Sequence, residues 1–590
     1  LRAAATLLLI GAFSSFLPAQ QNRDDLTPLD IGYSVAVLDD KTTVRVDIDV
    51  RHLARPTTRV ALPNWTPGAY GIRRSAGNVE NLTATSGGRA LEALRIDPLT
   101  WSIATEGVSE LRVSYDVKQR PGRFGSRATG GDRTGMQIAG PSTYLYVVGA
   151  KEWPVTVRYK LPEGWKYANG LLPTGDPLVR RAKDYDTFID APTQFGIFKQ
   201  HDFEVNGTPF SCVFFENEQR YDFDLPAFVD LCKRIVTHQG KMFGSFPFPN
   251  YVFLFTIPGG GGLEHLNSTS IGLSAPAQKK DPRAGAFVTA HEFFHLWNVK
   301  RIRPKVLGPF EYEHENYTGN LWVSEGWTSY YGDLTLVRTG ITSRDEFLSR
   351  FRGYVERELN KDARHEHSVY WASRNVWHRE RTEAGRVDYY DKGEILGAMI
   401  DLKMRHETDN TKSLDDVMVF LNRWFAERNV GFEEGDVERA CTAISNHDFG
   451  EFFARHVRGT LDPPLAEFLA YAGIEYTEQK ATSVALPFET RTTADEVRVS
   501  NASAPGVQAG DVIKALGGQR LGGESNVQPA DFVRDRKAGD KVQVELARDG
   551  RTEQVEVTLR ERTRMTPALR FLEQPTEKQR RIRDGWLGGK

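Results

Sequence analysis

One stretch narrows the choice of fold more than any other: Ala290-His291-Glu292-Phe293-Phe294-His295-Leu296-Trp297. It reads as helix. At 3.6 residues per turn His291 and His295 lie one turn apart on the same face, so both imidazoles can reach a single metal. Glu292 stands about 100° round from His291, close enough to a metal-bound water without itself being a ligand. Two neutral imidazoles with a carboxylate suit Zn²⁺, and an open fourth position makes such a site catalytic rather than structural. The pattern also arises by chance in long chains, so its surroundings decide.

A third protein ligand must come from elsewhere. Leu321-Trp-Val-Ser-Glu325-Gly-Trp-Thr-Ser-Tyr-Tyr331 places Glu325 at the start of a helical run among apolar neighbours, where an unpaired carboxylate is costly. An acid favoured by the helix dipole is the competing explanation. Glu313, His314 and Glu315 are nearer in sequence but sit in a polar loop.

A chain of 590 residues is too long for one core, and about 150 residues per domain implies three or four units. Lys+Arg 76 against Asp+Glu 78 leaves a net charge of −2, which points neither to nucleic acid nor to an anionic membrane. Cys212, Cys232 and Cys441 show no CxxC spacing and read as buried small hydrophobes, not a disulfide framework. Arg2, an apolar run from Ala3 to Phe16 and then Leu17-Pro18-Ala19-Gln20 read as a secretory signal over 1–20, implying a periplasmic or secreted protein. No run of 18 apolar residues follows it.

Residues 21–200 carry period-two alternation, as in Thr43-Val-Arg-Val-Asp-Ile-Asp-Val, and predict a β-sandwich-like scaffold with no chemistry of its own. Pro63 to Tyr70 reads as a turn-rich aromatic link, and Gly122 to Gly135 as a mobile loop. From 201 to 470 a mostly helical unit with a small sheet is expected. It includes a helix over 222–240 ended by Gly240, a cap at Asp281-Pro282 ahead of the motif helix, and caps at Ser343, Ser413 and Asp415. Residues 471–562 read as short strands, the last pair a hairpin through Asp549-Gly550, and 563–590 as a charged, weakly ordered tail in which Trp586-Leu587 can dock.

The segments 291–304 (His-Glu-Phe-Phe-His-Leu-Trp-Asn-Val-Lys-Arg-Ile-Arg-Pro), 322–331 and 261–265 together resemble the glycyl aminopeptidase family. The resemblance implies a multidomain α+β protein: an N-terminal β domain, a thermolysin-like catalytic domain and a C-terminal PDZ-like domain. It implies His291, His295 and Glu325 as ligands of one Zn²⁺, with Glu292 as general base. Through the related one-zinc aminopeptidases, Tyr390-Asp391-Lys392-Gly393 resembles their Tyr-x-Lys-Gly segment, whose tyrosine serves the oxyanion; Tyr389 adjoins it. Glu264 likewise matches the acid that binds a substrate's free α-amine, and Gly261 and Gly262 would let the peptide lie along that strand edge.

Two departures matter. Ser329 stands where such enzymes often keep an acid that orients a zinc histidine, so another group, Asp333 for instance, is expected there. Ser503-Ala-Pro-Gly-Val-Gln-Ala-Gly-Asp resembles a PDZ segment, but no peptide-carboxylate loop is evident upstream, so structural packing is at least as good a reading as a peptide ligand. The expectation is an exported zinc aminopeptidase acting on peptides with a free N-terminus and a small first residue, Gly or Ala. The alternatives are a zinc endopeptidase of the same fold, with Glu264 structural, and an inactive PDZ-bearing interaction protein.

Overall fold

In Thr43–Arg51 the side chains of Val44, Val46, Ile48 and Val50 are buried while the residues between them are only half covered, so this strand presents one apolar face. It is a central strand of an eight-stranded sheet in the computed structural model, which describes residues 28–589 apart from 73–78, 119, 122–129, 133, 217–222, 382–386, 493–495, 503 and 522–527. Its register pairs Val46 with Tyr115 and Ile48 with Val113 on one side, and Val46 with Val35 on the other. A four-stranded sheet, which includes Thr57–Ala61 and Thr100–Ala104, shares the same core through Val60, Trp101 and Ile103. The segment 1–20 read as a signal lies outside the described residues, as does most of the expected loop 122–135.

The middle of the chain opens with a five-stranded sheet in the order Lys199–Val205, Thr208–Glu216, Tyr251–Ile257, Ser268–Gly272, Gly262–Glu264. Tyr251–Ile257 is buried at every position, as a strand covered on both faces must be. The edge strand Gly262–Glu264 runs antiparallel to Ser268–Gly272, with Glu264 opposite Thr269. Helices cover this sheet and continue to Ala470.

Three helix boundaries differ from the sequence expectation. The first helix runs Leu225–Phe243, capped by Asp224 and closed by Gly244 at φ +82. Gly240 lies inside it, because a Cβ there would fall 2.4 Å from the ring of Phe246; the glycine serves packing, not termination. The motif helix runs Ala286–Phe294 from Gly285, whose φ is +88, rather than from Asp281-Pro282. Asp281 instead accepts a hydrogen bond from the backbone of Arg283 in the preceding turn. Ser343 forms the expected cap with Glu346, and Ser413 caps its helix with Asp416; Asp415 lies in the first turn and pairs with Arg338.

Beyond Ala470 a long antiparallel ribbon pairs Ile474–Ala485 with Arg560–Phe571. It carries a separate sheet (Phe488–Thr492, Val497–Ala502, Val512–Leu516, Lys541–Arg548, Arg551–Thr558) with its own core of Val497, Val499, Ile513, Val544 and Leu546. Positive φ at Asp549 and Gly550 closes the expected hairpin. The tail is ordered, contrary to expectation, while Trp586 and Leu587 dock as expected. Glu577–Gly588 is a helix capped by Thr576, and it buries Ile582, Trp586 and Leu587 in the core of the helical middle region. Charges on its outer face had concealed an apolar stripe. Cys212, Cys232 and Cys441 are free and buried. Among the described residues no helix is long and apolar enough to cross a membrane.

Candidate active site

The motif helix delivers its two histidines to one point. His291 Nε2 and His295 Nε2 are 3.0 Å apart, and Glu325 Oε2 stands 3.6 and 3.2 Å from them. Each ring is aimed from behind. His295 Nδ1 lies 2.7 Å from the backbone oxygen of Asn298 and His291 Nδ1 lies 3.2 Å from Ser329 Oγ, which leaves both Nε2 atoms for the centre. The orienting role expected of another group thus falls to Ser329 itself. Asp333 is elsewhere engaged, with Arg350 at 2.7 Å and the Tyr354 hydroxyl at 2.9 Å.

Glu325 sits not at a plain helix start but in a π-helical turn, Trp322–Trp327, which runs into the helix Thr328–Arg338. Such a bulge re-aims a side chain without ending the helix. Gly326 is fixed by packing: a Cβ there would lie 2.4 Å from the Cα of Gly393. The helix Asp391–Glu407 therefore crosses the π-turn backbone against backbone, which brings Tyr390 at its N-terminus into the site. The Tyr390 ring lies 6.2 Å from that of His291 and stacks on Tyr389 at 4.9 Å.

The donor set fits a zinc ion. Three buried ligand atoms, two imidazole nitrogens and a carboxylate oxygen, lie within 4.8 Å of one another, the separations expected around an ion with bonds of about 2.0–2.2 Å. The electrostatics also ask for a cation. Burial and then His295 act on Glu325 in opposite directions; the histidines win and hold its carboxyl far below the usual range. Burial pushes His291 down, whereas at His295 the adjacent Glu325 overcomes burial and lifts it to about 9.

Glu264 joins this cluster from the edge strand. Its carboxylate, that of Glu292 and a nitrogen of His295 also lie within 4.8 Å of one another, all three residues buried. Gly262 makes this possible, since a Cβ there would fall onto the Glu292 carboxyl group. Gly261 turns the chain at φ +72 and faces open space. His265 is a brace: its Nδ1 stands 2.9 Å from Asp190, which also accepts from the backbone of Leu266 and from Lys300 Nζ at 2.9 Å. Asp190 thus ties the segment after Glu264 to the segment after the motif helix.

Asp190 belongs to the β-rich N-terminal region, from which no chemistry was expected. That region contributes more. Its loop Trp65–Tyr70 packs so closely on the edge strand that a Cβ at Gly68 would lie 2.5 and 2.8 Å from the two Glu264 carboxylate oxygens. The turn-rich, aromatic composition of Pro63 to Tyr70 was the only local signal for this contact.

Comparison with known proteins agrees with this geometry. The M61 glycyl aminopeptidase profile matches residues 286–396, and the M61 N-terminal domain profile matches 33–197. No curated protein matches the chain. An aminopeptidase N family protein from Idiomarina loihiensis is 25% identical, covers 95% of this chain and all of its own, and superposes with a TM-score of 0.82. An M1 zinc metallopeptidase from Deinococcus radiodurans, solved with a Tyr-Ser-Ala substrate, is 12% identical over 75% of this chain and 95% of its own, with a TM-score of 0.49. The N-terminal and catalytic profiles of the glycyl aminopeptidase family are thus matched in order along one chain.

Proposed function

We propose that the protein is a zinc-dependent aminopeptidase that removes small first residues, Gly or Ala, from peptides. The observation that carries the exopeptidase reading is the approach of Glu264 to Glu292 beside the histidine pair. Two carboxylates about 5 Å apart repel by roughly 3 kcal/mol at an effective dielectric of about 20. A substrate ammonium placed against Glu264 relieves that repulsion; a mid-chain peptide, having no cation there, does not.

In this reading His291, His295 and Glu325 hold one zinc ion. When bound, the ion supplies Lewis-acid polarisation of a water and of the scissile carbonyl. Glu292 accepts the proton of the attacking water and returns it to the leaving amine. Tyr390 donates a hydrogen bond to the carbonyl oxygen as charge develops on it; burial and then the neighbouring Glu325 hold its phenol well above the ordinary value, so the proton stays available. Tyr390 is preferred to Tyr389 because its ring is the one beside His291. Glu264 holds the α-ammonium, and Gly261 and Gly262 leave the strand edge open to the peptide backbone.

Glu292→Gln tests the mechanism. Turnover should be lost while zinc content, read by elemental analysis, stays near one per chain; normal activity would remove Glu292 from the mechanism. Two outer features complete the proposal. The six-stranded unit with the short helix Pro529–Val533 supports a PDZ-like domain, here assigned a packing role. The basic start and apolar run at 2–16 support export.

A further inference from the structure

The N-terminal β domain sends one loop into the catalytic unit, and it does so rigidly. Asn64 Nδ2 donates to the backbone oxygen of Glu313 (2.7 Å), Trp65 Nε1 to that of Glu311 (2.8 Å), and the Asn64 backbone to Tyr312 (2.9 Å). A turn bonded from Ala69 to Thr66 follows. Gly68, at φ +81, presses its backbone on Leu263 and Glu264. Tyr70 comes next, only 4% exposed, with its ring 6.3 Å from Trp65 and 5.4 Å, edge-on, from Trp377 of the catalytic unit; Trp65 and Trp377 meet at 5.2 Å. Tyr70, Trp65 and Gly68 line the same cavity as Glu264.

We infer that Tyr70, backed by Trp65 and Trp377, is a specificity-determining residue: it walls the space beside Glu264 in which the first residue's side chain must lie. The inference rests on the aminopeptidase reading, because Glu264 fixes where that residue starts. A substrate whose α-amine is held by Glu264 has its first Cα, and the side chain it bears, next to the carboxylate whose cavity Tyr70 lines. The wall cannot retreat. Its loop is bonded to 311–313, its glycine has no slack against Glu264, and its ring is flanked by two indoles. Glycine and alanine fit beside such a wall, whereas a leucine or phenylalanine side chain meets aromatic carbon fixed in place.

The test uses the full-length zinc enzyme and the anilides of Gly, Ala, Leu and Phe, with wild type, Tyr70→Ala, Tyr70→Phe and Trp377→Ala. Tyr70→Ala should raise kcat/KM for Leu and Phe relative to Gly at least tenfold, chiefly through KM. Tyr70→Phe, which keeps the ring, should leave that ratio within twofold. Trp377→Ala, which loosens the wall from the other side, should shift it in the same direction as Tyr70→Ala and decides the matter if Tyr70→Ala does not fold. A second readout, free of turnover, is binding of Gly-, Leu- and Phe-peptides to the Glu292→Gln protein with and without Tyr70→Ala; the gap between Gly and Phe should narrow. A folded Tyr70→Ala or Trp377→Ala enzyme that keeps the wild-type ratio overturns the inference while leaving the aminopeptidase intact. A wild type that cleaves no free-amine anilide defeats the parent reading, and this one with it.

Discussion

Gly393→Ala puts the architecture of the site under direct strain. A Cβ at Gly393 would stand 2.5 Å from the backbone oxygen of Trp322 and 2.9 Å from the Cα of Gly326. Both neighbours are backbone atoms of buried segments, so no side chain can swing aside. Ordinary contact begins near 3.4 Å, so the two helices must part by roughly 1 Å, an overpacking cost of about 1–3 kcal/mol. The functional cost should be larger. Glu325 lies one residue before Gly326 and Tyr390 three before Gly393, so the same displacement separates the Glu325 carboxylate from the tyrosine. A misplacement of about 1 Å can reduce a rate about 100-fold. Thermal melting, zinc content and glycyl-anilide kinetics should show a modestly lower melting temperature, retained zinc and a kcat reduced by one to two orders of magnitude. A folded variant with wild-type kcat would refute the claim that this crossing sets the distance from Glu325 to Tyr390.

Two other expectations follow from the fold. Trp586 is fully buried and donates to the Tyr330 hydroxyl (2.6 Å), which donates to Asp401; Trp586→Ala should cost about 3–5 kcal/mol, seen as a lower midpoint in chemical denaturation, and a truncation before Thr576 should behave alike. If the truncated chain melts as the full one does, the tail helix is not a strut. Asp190→Ala should leave the buried Lys300 ammonium unpaired, at a cost of about 3–5 kcal/mol, and loosen the turn after Glu264, raising KM for free-amine substrates more than it lowers kcat. An unchanged KM in a stable variant would detach Asp190 from substrate binding.

What the sequence disclosed follows the range of the interactions. The convergence of His291 and His295 is legible because one helical turn fixes it, and the alternation in Thr43–Arg51 shows a one-sided strand for the same reason. Gly240 looked like a terminator because local rules know nothing of the Phe246 ring that needs its missing Cβ. Ser329 seemed unable to replace an acid, yet a hydroxyl at 3.2 Å suffices to aim His291. Asp190 was invisible, and Gly68 and Tyr70 showed only as part of a turn-rich aromatic link: each acts across a domain boundary, and the residues around them do not record what they meet. The tail helix was hidden by its charge, since only Ile582, Trp586 and Leu587 face inward.

The central claim, a metal centre that requires a free α-amine, is tested most directly by one comparison: hydrolysis of glycyl-anilide and of N-acetylglycyl-anilide, each by wild type and Glu264→Ala, with and without a zinc chelator. The account predicts cleavage of the free-amine substrate alone, abolished by the chelator and restored by Zn²⁺, with Glu264→Ala losing most of that activity. Equal cleavage of the acetylated substrate, or full activity in Glu264→Ala, would contradict it.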